Sequence, residues 1–336
     1  MTATTITHVF VPESSGFYRI EADMEINGWV ENVRDSSNNS ALYSGADYEL
    51  VGGKTYFVNV GPDKTGDVTL TVEKGKDFTK SAHMAYRYSS SGTLDIRGWD
   101  GENYIQTSDS NEGYYTVLRA VDEWGDEDTD KVGFSSDGIP AETSSGLTIT
   151  PNLSFTDDGM FVIVSYVVKN PTDRTIPYSL GVNSEVMIAG DDSATVYATA
   201  TGLKMESKTG VSYYLICNNV PGITEADSTW FGKYDGREEN QFSDYTSLSL
   251  TGEDDSYLTF AFAWQNRSIA PGATQTYTYE LGIGSTGSIL APENSVIADG
   301  NCGTSLLWNL NASGTLTIRG TGAMDNYEKG KAPWYS

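Results

Sequence analysis

The sequence predicts an all-β protein, and three observations carry that reading. Helical periodicity is almost absent. Instead, apolar and polar residues alternate in short runs rich in Val, Ile, Thr and Tyr, separated by clusters of Gly, Asn, Asp and Ser. The 35 glycines suit many tight turns. Hydrophobic residues make up only 38% of the chain, but 21 Tyr, 11 Phe and 7 Trp supply large areas for sheet cores. At 336 residues the chain is too long for one compact core and predicts two or three domains.

The first domain is placed at residues 1–75. "THVFVPE", "GFYRIEA", "WVENVRD", "KTYFVNVGP" and "DVTLTVEKG" read as successive strands, with "VGGK" and "PDKTGD" as turns between them. A phrase like "ESSGFYRI" at the start and one like "LVGGKTYFVNV" before the last strand resemble the small sandwich modules of the pre-peptidase C-terminal type. That resemblance implies a small β-sandwich and brings no catalytic residue with it. "GKDFTKSA" (75–82) breaks the pattern and reads as a linker.

Residues 83–286 form the largest unit. "YYTVLRAV", "GLTITPNLSF", "MFVIVSYVVKN", "VSYYLICNN", "YLTFAFAWQN" and "TQTYTYELGIG" are its strongest strands, and the Asp-Gly in "TDDGM" (156–160) marks a hairpin. "FVIVSYVV" is apolar at nearly every position, so this strand is expected to be covered on both faces. Many strands with no intervening helix imply one large two-sheet sandwich.

Within that unit, "VVKNPTDRTIPYSLGVNSEVMI" (167–188) resembles a stretch of the galactose-mutarotase-like supersandwiches. Asn170, Asp173, Pro177, Leu180 and Gly181 match in kind and order. The resemblance implies a supersandwich fold, and it implies a proton-donating histidine shortly after the glycine. Here that place is Asn183, which cannot transfer a proton, and the histidines are His8 and His83. A mutarotase mechanism is therefore not expected.

Residues 285–300 read as a second linker, and 300–336 as the start of another domain. Cys302-Gly303, Trp308, "SGTLTIRGTGAM" and "APWYS" resemble the opening cap of BspA-type leucine-rich-repeat surface proteins. The resemblance implies a β-hairpin cap of a truncated leucine-rich-repeat domain in a bacterial surface protein. "SGTLTIRG" also echoes "SGTLDIRG" (91–98). The echo reads as one hairpin solution used twice, with a degenerate second cap as the alternative.

The charge, 21 Lys and Arg against 46 Asp and Glu, is −25. Such a surface repels phosphate backbones and argues against nucleic-acid binding. No apolar run is long enough to cross a bilayer, so no direct membrane insertion is expected. Met1 followed by "TATTITH" fits a chain whose export signal has been removed, and the expected location is extracellular, on a bacterial surface or secreted. Cys217 and Cys302 fall in separate domains and read as two unpaired thiols, with a disulfide as the alternative.

No cofactor is expected, Ca²⁺ apart. "DEDTDKVGFSSD" puts Asp126, Asp128, Asp130 and Asp137 at positions 1, 3, 5 and 12 of a calcium-type loop, although Lys131 stands where the turn wants glycine and a solvated acidic loop is the plainer reading. The binding candidate is "STWFGKYDGREENQF" (228–242). Trp230 and Tyr234 could stack on a ligand from one face of an extended segment, with Arg237 and Asn240 as polar partners; the plainer reading makes Trp230 a core residue. Asn183, Asp191 and Asp192 complete the candidate set, the two aspartates as a neighbouring loop. The expected function is non-enzymatic binding of a glycan or of a host or environmental protein. A carbohydrate-active enzyme on the large sandwich and a ligand-free spacer are the alternatives, and a pair of pocket carboxylates would favour the enzyme.

Overall fold

The structure is a computed structural model that describes residues 5–22, 28–42, 47–62, 69–109, 113–135, 139–244, 249–252, 257–283, 296–311 and 314–335. It is all-β, with antiparallel sheets and two short 3-10 turns as its helical elements among those residues.

The first unit contains β1 (Ile6–Phe10), β2 (Gly16–Ala22), β3 (Gly28–Asp35), β4 (Tyr48–Leu50), β5 (Tyr56–Pro62) and β6 (Leu70–Lys74). They make two three-stranded sheets, β1-β5-β3 and β4-β2-β6. Tyr18, Ile20, Val33, Leu50, Val58 and Val60 from both sheets share one apolar cluster, as alternation along each strand requires.

The large unit begins with β7 (Thr79–Lys80), β8 (Met84–Tyr88), β9 (Leu94–Trp99), β10 (Tyr104–Gln106), β11 (Tyr114–Val121), β12 (Glu127–Val132), β13 (Ala141–Glu142), β14 (Thr148–Phe155) and β15 (Phe161–Lys169). It continues with β16 (Ile176–Glu185), β17 (Thr195–Thr199), β18 (Gly202–Glu206), β19 (Ser212–Ile216), β20 (Ser228–Lys233), β21 (Ser249–Thr251), β22 (Leu258–Ile269) and β23 (Thr274–Ile283). A nine-stranded sheet runs β20-β22-β16-β11-β9-β8-β7, with β10 beside β9 and β12 beside β11. An eight-stranded sheet runs β13-β14-β15-β23-β19-β18-β17-β21. Leu118, Leu180, Phe262 and Trp264 of the first sheet pack with Val164, Tyr166, Leu215 and Tyr279 of the second in one continuous core. This is the large sandwich expected from the sequence.

The last unit has β24 (Val296–Gly303), β25 (Leu306–Asn311) and β26 (Leu316–Gly320) in one sheet, with Cys302, Leu306 and Trp308 buried together. Leu307 points the other way and joins the core of the large sandwich. Both cysteines are buried and free.

The echoed phrase forms the same hairpin twice. Tyr88 pairs with Leu94, and Leu310 pairs with Leu316, so each loop has the same length. Gly92 has φ +82° and Gly314 φ +83°, a left-handed conformation that glycine adopts without strain.

Three expectations need correction. The first stretch expected as a linker, 75–82, carries β7, an edge strand of the large sheet, and Phe78, which packs edge-on against Phe17 with centroids 5.4 Å apart. The second expected linker, 285–300, carries strand β24 from Val296 onward, and its residues 285–295 lie outside the described residues. Strand β15 is not covered evenly. Val162, Val164, Tyr166 and Val168 are buried, whereas Ile163, Ser165 and Val167 are half-buried. Among the outer positions only Phe161 is buried, beside Ile216 and Val220, because the connection after β19 covers just that end.

No helix among the described residues is long and apolar enough to cross a membrane.

Candidate functional site

The site lies on the face of the nine-stranded sheet that points away from the core, and strand register builds it. Residues paired directly across antiparallel strands share a face. Lys131 pairs with Val117, Val117 with Gly181, Gly181 with Ala263, and Ala263 with Ser228. A second row runs Tyr115, Asn183, Ala261, Trp230. Gly181, Ala261 and Ala263 are small and leave a depression in the middle of the sheet. Arg119, Lys131, Tyr115 and Trp230 stand around it.

The connection after β20 lies over this depression. It starts as a 3-10 turn, Tyr234–Gly236, and returns across the sheet. Gln241 is buried with its side chain over Gly181 and accepts a hydrogen bond at Oε1 from Asn183 Nδ2. Gln265 Nε2 donates to the Phe242 carbonyl at 2.9 Å and to Ser228 Oγ at 2.8 Å, which fixes the far end of the connection. Between connection and sheet opens a cleft of about 560 Å³. Arg119, Lys131, Asn183 and Gln265 line it from the sheet, and Arg237, Glu238, Glu239, Gln241, Phe242 and Ser243 from the connection.

Its electrostatics are set by stacked cations. The Arg119 guanidinium lies 4.1 Å from the Phe242 ring centroid. Arg237, itself buried, lies 4.4 Å from the Tyr234 centroid and 5.5 Å from that of Tyr115. Lys131 Nζ is 5.4 Å from the Tyr115 centroid and 3.2 Å from Glu238 Oε1. The rings help to orient these heads, of which only Arg237 is buried. Asn183 Oδ1 is buried with no hydrogen-bond partner among the described residues. An unmet acceptor of this kind costs about 1–3 kcal/mol.

Of the residues singled out from sequence, the structure brings Asn183 and Arg237 into this one cleft. Tyr234 touches it through Arg237. Trp230 is 9% exposed, on the face opposite Phe231, and its ring packs against Gly232 and Gly236 beneath the turn. The expectation that Trp230 and Tyr234 present two rings from one extended segment is therefore corrected: β20 ends at Lys233, and Tyr234 opens the 3-10 turn. Asn240 serves the turn, donating from Nδ2 to the Gly236 carbonyl at 2.9 Å. Asp191 and Asp192 lie in another turn, where Asp191 Oδ1 accepts from the Ser193 amide at 3.0 Å, and neither lines the cleft.

The calcium loop is also corrected. Residues 127–132 are strand β12, paired with β11, so Asp128 and Asp130 are spread along an extended chain rather than folded around an ion. Asp130 Oδ2 accepts from the Ser144 amide and hydroxyl, both at 2.9 Å. Asp137 lies outside the described residues. Among the described residues no cluster of His, Cys, Asp and Glu could hold a metal ion. In the mutarotase-like phrase, Asn170 is a buried turn organiser whose Nδ2 donates to the Arg174 and Ile269 carbonyls at 2.7 and 3.0 Å.

Sequence reading does not reach Arg119 or Gln265, names Lys131 only in the calcium-type loop, and quotes Gln241 and Phe242 within 228–242 without singling them out. Arg119 carried one signal: it is the charged position inside the otherwise apolar run "YYTVLRAV". The chain matches no known protein family and none of the curated proteins.

Proposed function

We propose that this cleft is the ligand site of a non-catalytic extracellular binding protein and that its ligand is a glycan. The observation that carries the reading is the lining itself. The amides of Asn183, Gln241 and Gln265, the guanidiniums of Arg119 and Arg237 and the Phe242 ring converge on one open cleft. Planar polar groups read hydroxyls in pairs, and a ring offers a face to sugar C–H groups. Most sites of this kind are pre-formed and concave, with a few placed polar groups.

The non-catalytic part rests on the two carboxylates present. Glycoside hydrolysis uses two that flank the scissile bond, about 5–10 Å apart. Glu238 and Glu239 are consecutive residues of one connection and share one wall. Glu238 is 76% exposed and paired with Lys131. The surface setting rests on the resemblance of residues 302–336 to a repeat cap and on the charge of −25.

A glycan array probed with the wild-type chain and with Gln241→Ala tests this. Wild type is expected to bind a defined subset, and Gln241→Ala to weaken that binding at least tenfold with the fold intact. Failure to bind any glycan, or undiminished binding by the variant, contradicts the reading.

A further inference from the structure

We propose that the ligand of this cleft carries a carboxylate and that Arg119 is its anchor; the site takes acidic sugars, such as uronic or sialic acids, in preference to neutral ones. The proposal rests on the cleft being a glycan site, and it names the class of glycan.

Arg119 is a guanidinium held ready. Its side chain is 31% exposed, open to the cleft and stacked 4.1 Å from the Phe242 centroid, which leaves its N–H edges to act in the plane of the stack. Among the described residues it donates no hydrogen bond. The carboxylate nearest to it is that of Glu127, 63% exposed, at 3.7 Å, longer than a charge-assisted hydrogen bond. The stack removes the orientational freedom that an exposed arginine normally loses on binding, so a carboxylate meets a fork already aimed.

The neighbourhood agrees. Lys131, Arg119 and Arg237 all line one cleft, on a chain that has 21 basic residues against 46 acidic ones. On such a chain the average surface position favours cations, so a local gathering of basic heads is a departure in the direction of an anion. The anion is not a phosphate-rich polymer, because Glu238 and Glu239 line the same cleft and would repel a second and third charge. One carboxylate, with hydroxyls for the amides, matches the lining.

The test is a calorimetric titration of the full chain with sugars that carry one carboxylate, a methyl glucuronide, a methyl galacturonide and sialyllactose, each beside its carboxyl methyl ester. Neutral oligosaccharides that bind on the array serve as reference. At least one acid is expected to bind ten or more times tighter than its ester. Arg119→Gln should erase that difference, weakening the acid at least ten times more than its ester while a cooperative unfolding transition is kept, and Arg119→Lys should restore only part of it, having charge without the fork. If neutral glycans or esters bind as tightly as the acids, or if Arg119→Gln keeps the full preference, the carboxylate proposal fails and the glycan reading stands. If no glycan of either kind binds, or acidic peptides bind and sugars do not, both fail.

Discussion

The side-chain amide of Gln241 occupies the space that a β-carbon at Gly181 would need: Gln241 Nε2 lies 2.5 Å from that position. Glycine is thus the residue that lets the connection after β20 settle on the sheet. Gly181→Ala should push Gln241 aside, break its bond to Asn183 and destabilise the chain by about 1–3 kcal/mol, the usual range for overpacking. In Gly181→Ala/Gln241→Ala the loss should shrink, since the clash has gone. Urea denaturation of the four proteins in this cycle checks it; additive losses would count against the contact.

Trp230 is expected to be a support of the cleft rather than part of it. Its buried ring packs against Gly232 and Gly236, and Trp230→Ala should lower stability by about 3–5 kcal/mol, the range for a buried aromatic. Amide exchange should rise first across 234–244. Unchanged stability with lost binding would instead make Trp230 a contact residue.

Glu280 should make stability fall with pH. It lies on β23 with Oε2 buried and without a hydrogen-bond partner among the described residues, and burial, with a smaller push from the charge of Asp158, lifts its carboxyl to about 7. Between about pH 4.5 and 7 the folded chain keeps a proton that the unfolded chain has released, so this group's contribution declines as pH rises through that window. The full effect is about 3 kcal/mol by linkage. Glu280→Gln should be more stable than wild type at pH 8 and close to it at pH 4. Equal pH profiles for the two proteins would refute the assignment.

The small unit is joined to the large one by a buried pair. Arg87 Nη1 lies 2.6 Å from Asp47 Oδ2, and its guanidinium lies 3.7 Å from the Phe17 centroid. Asp47→Ala leaves Arg87 with Asp95 as its remaining carboxylate, Nε to Oδ2 at 3.2 Å, and removes a buried charge-assisted bond, so it should destabilise by about 1.5–3 kcal/mol. Glu21→Ala removes the exposed partner of Arg19 and should cost less than about 1 kcal/mol. Comparable losses in the two variants would contradict a tight junction.

The twin hairpins offer an internal comparison. Gly92→Ala would place its β-carbon 2.5 Å from the Phe134 backbone nitrogen, whereas among the described residues nothing lies within 4 Å of that position at Gly314. Gly314→Ala should show only the left-handed penalty of about 1–2 kcal/mol, and Gly92→Ala clearly more. Thermal unfolding of both variants measures the gap.

What could be read from sequence was local. Alternation along "FVIVSYVV" and the glycine of "SSSGTL" identify strand and turn, because each depends on residues a few positions apart. The same alternation defeats the calcium reading: Asp128, Asp130 and the buried Val132 sit at even spacing, as a strand requires, and carboxylate spacing alone does not separate strand from loop. The cleft was half legible. Asn183 was reached through a family phrase and Arg237 through an aromatic-rich loop, but nothing in sequence says that they meet. Their meeting depends on the register of β11, β12, β16, β20 and β22, and on Gly181 admitting Gln241. Arg119 and Gln265 enter by that register alone, from strands far apart in the chain.

The central claim is that the cleft beneath residues 234–244 holds the ligand. The most direct measurement is a titration followed by the side-chain amide NMR signals, with a glycan that binds. The account predicts that the Asn183, Gln241 and Gln265 amides shift together and saturate at the calorimetric affinity. Saturating shifts elsewhere, with these three signals unmoved, would contradict it.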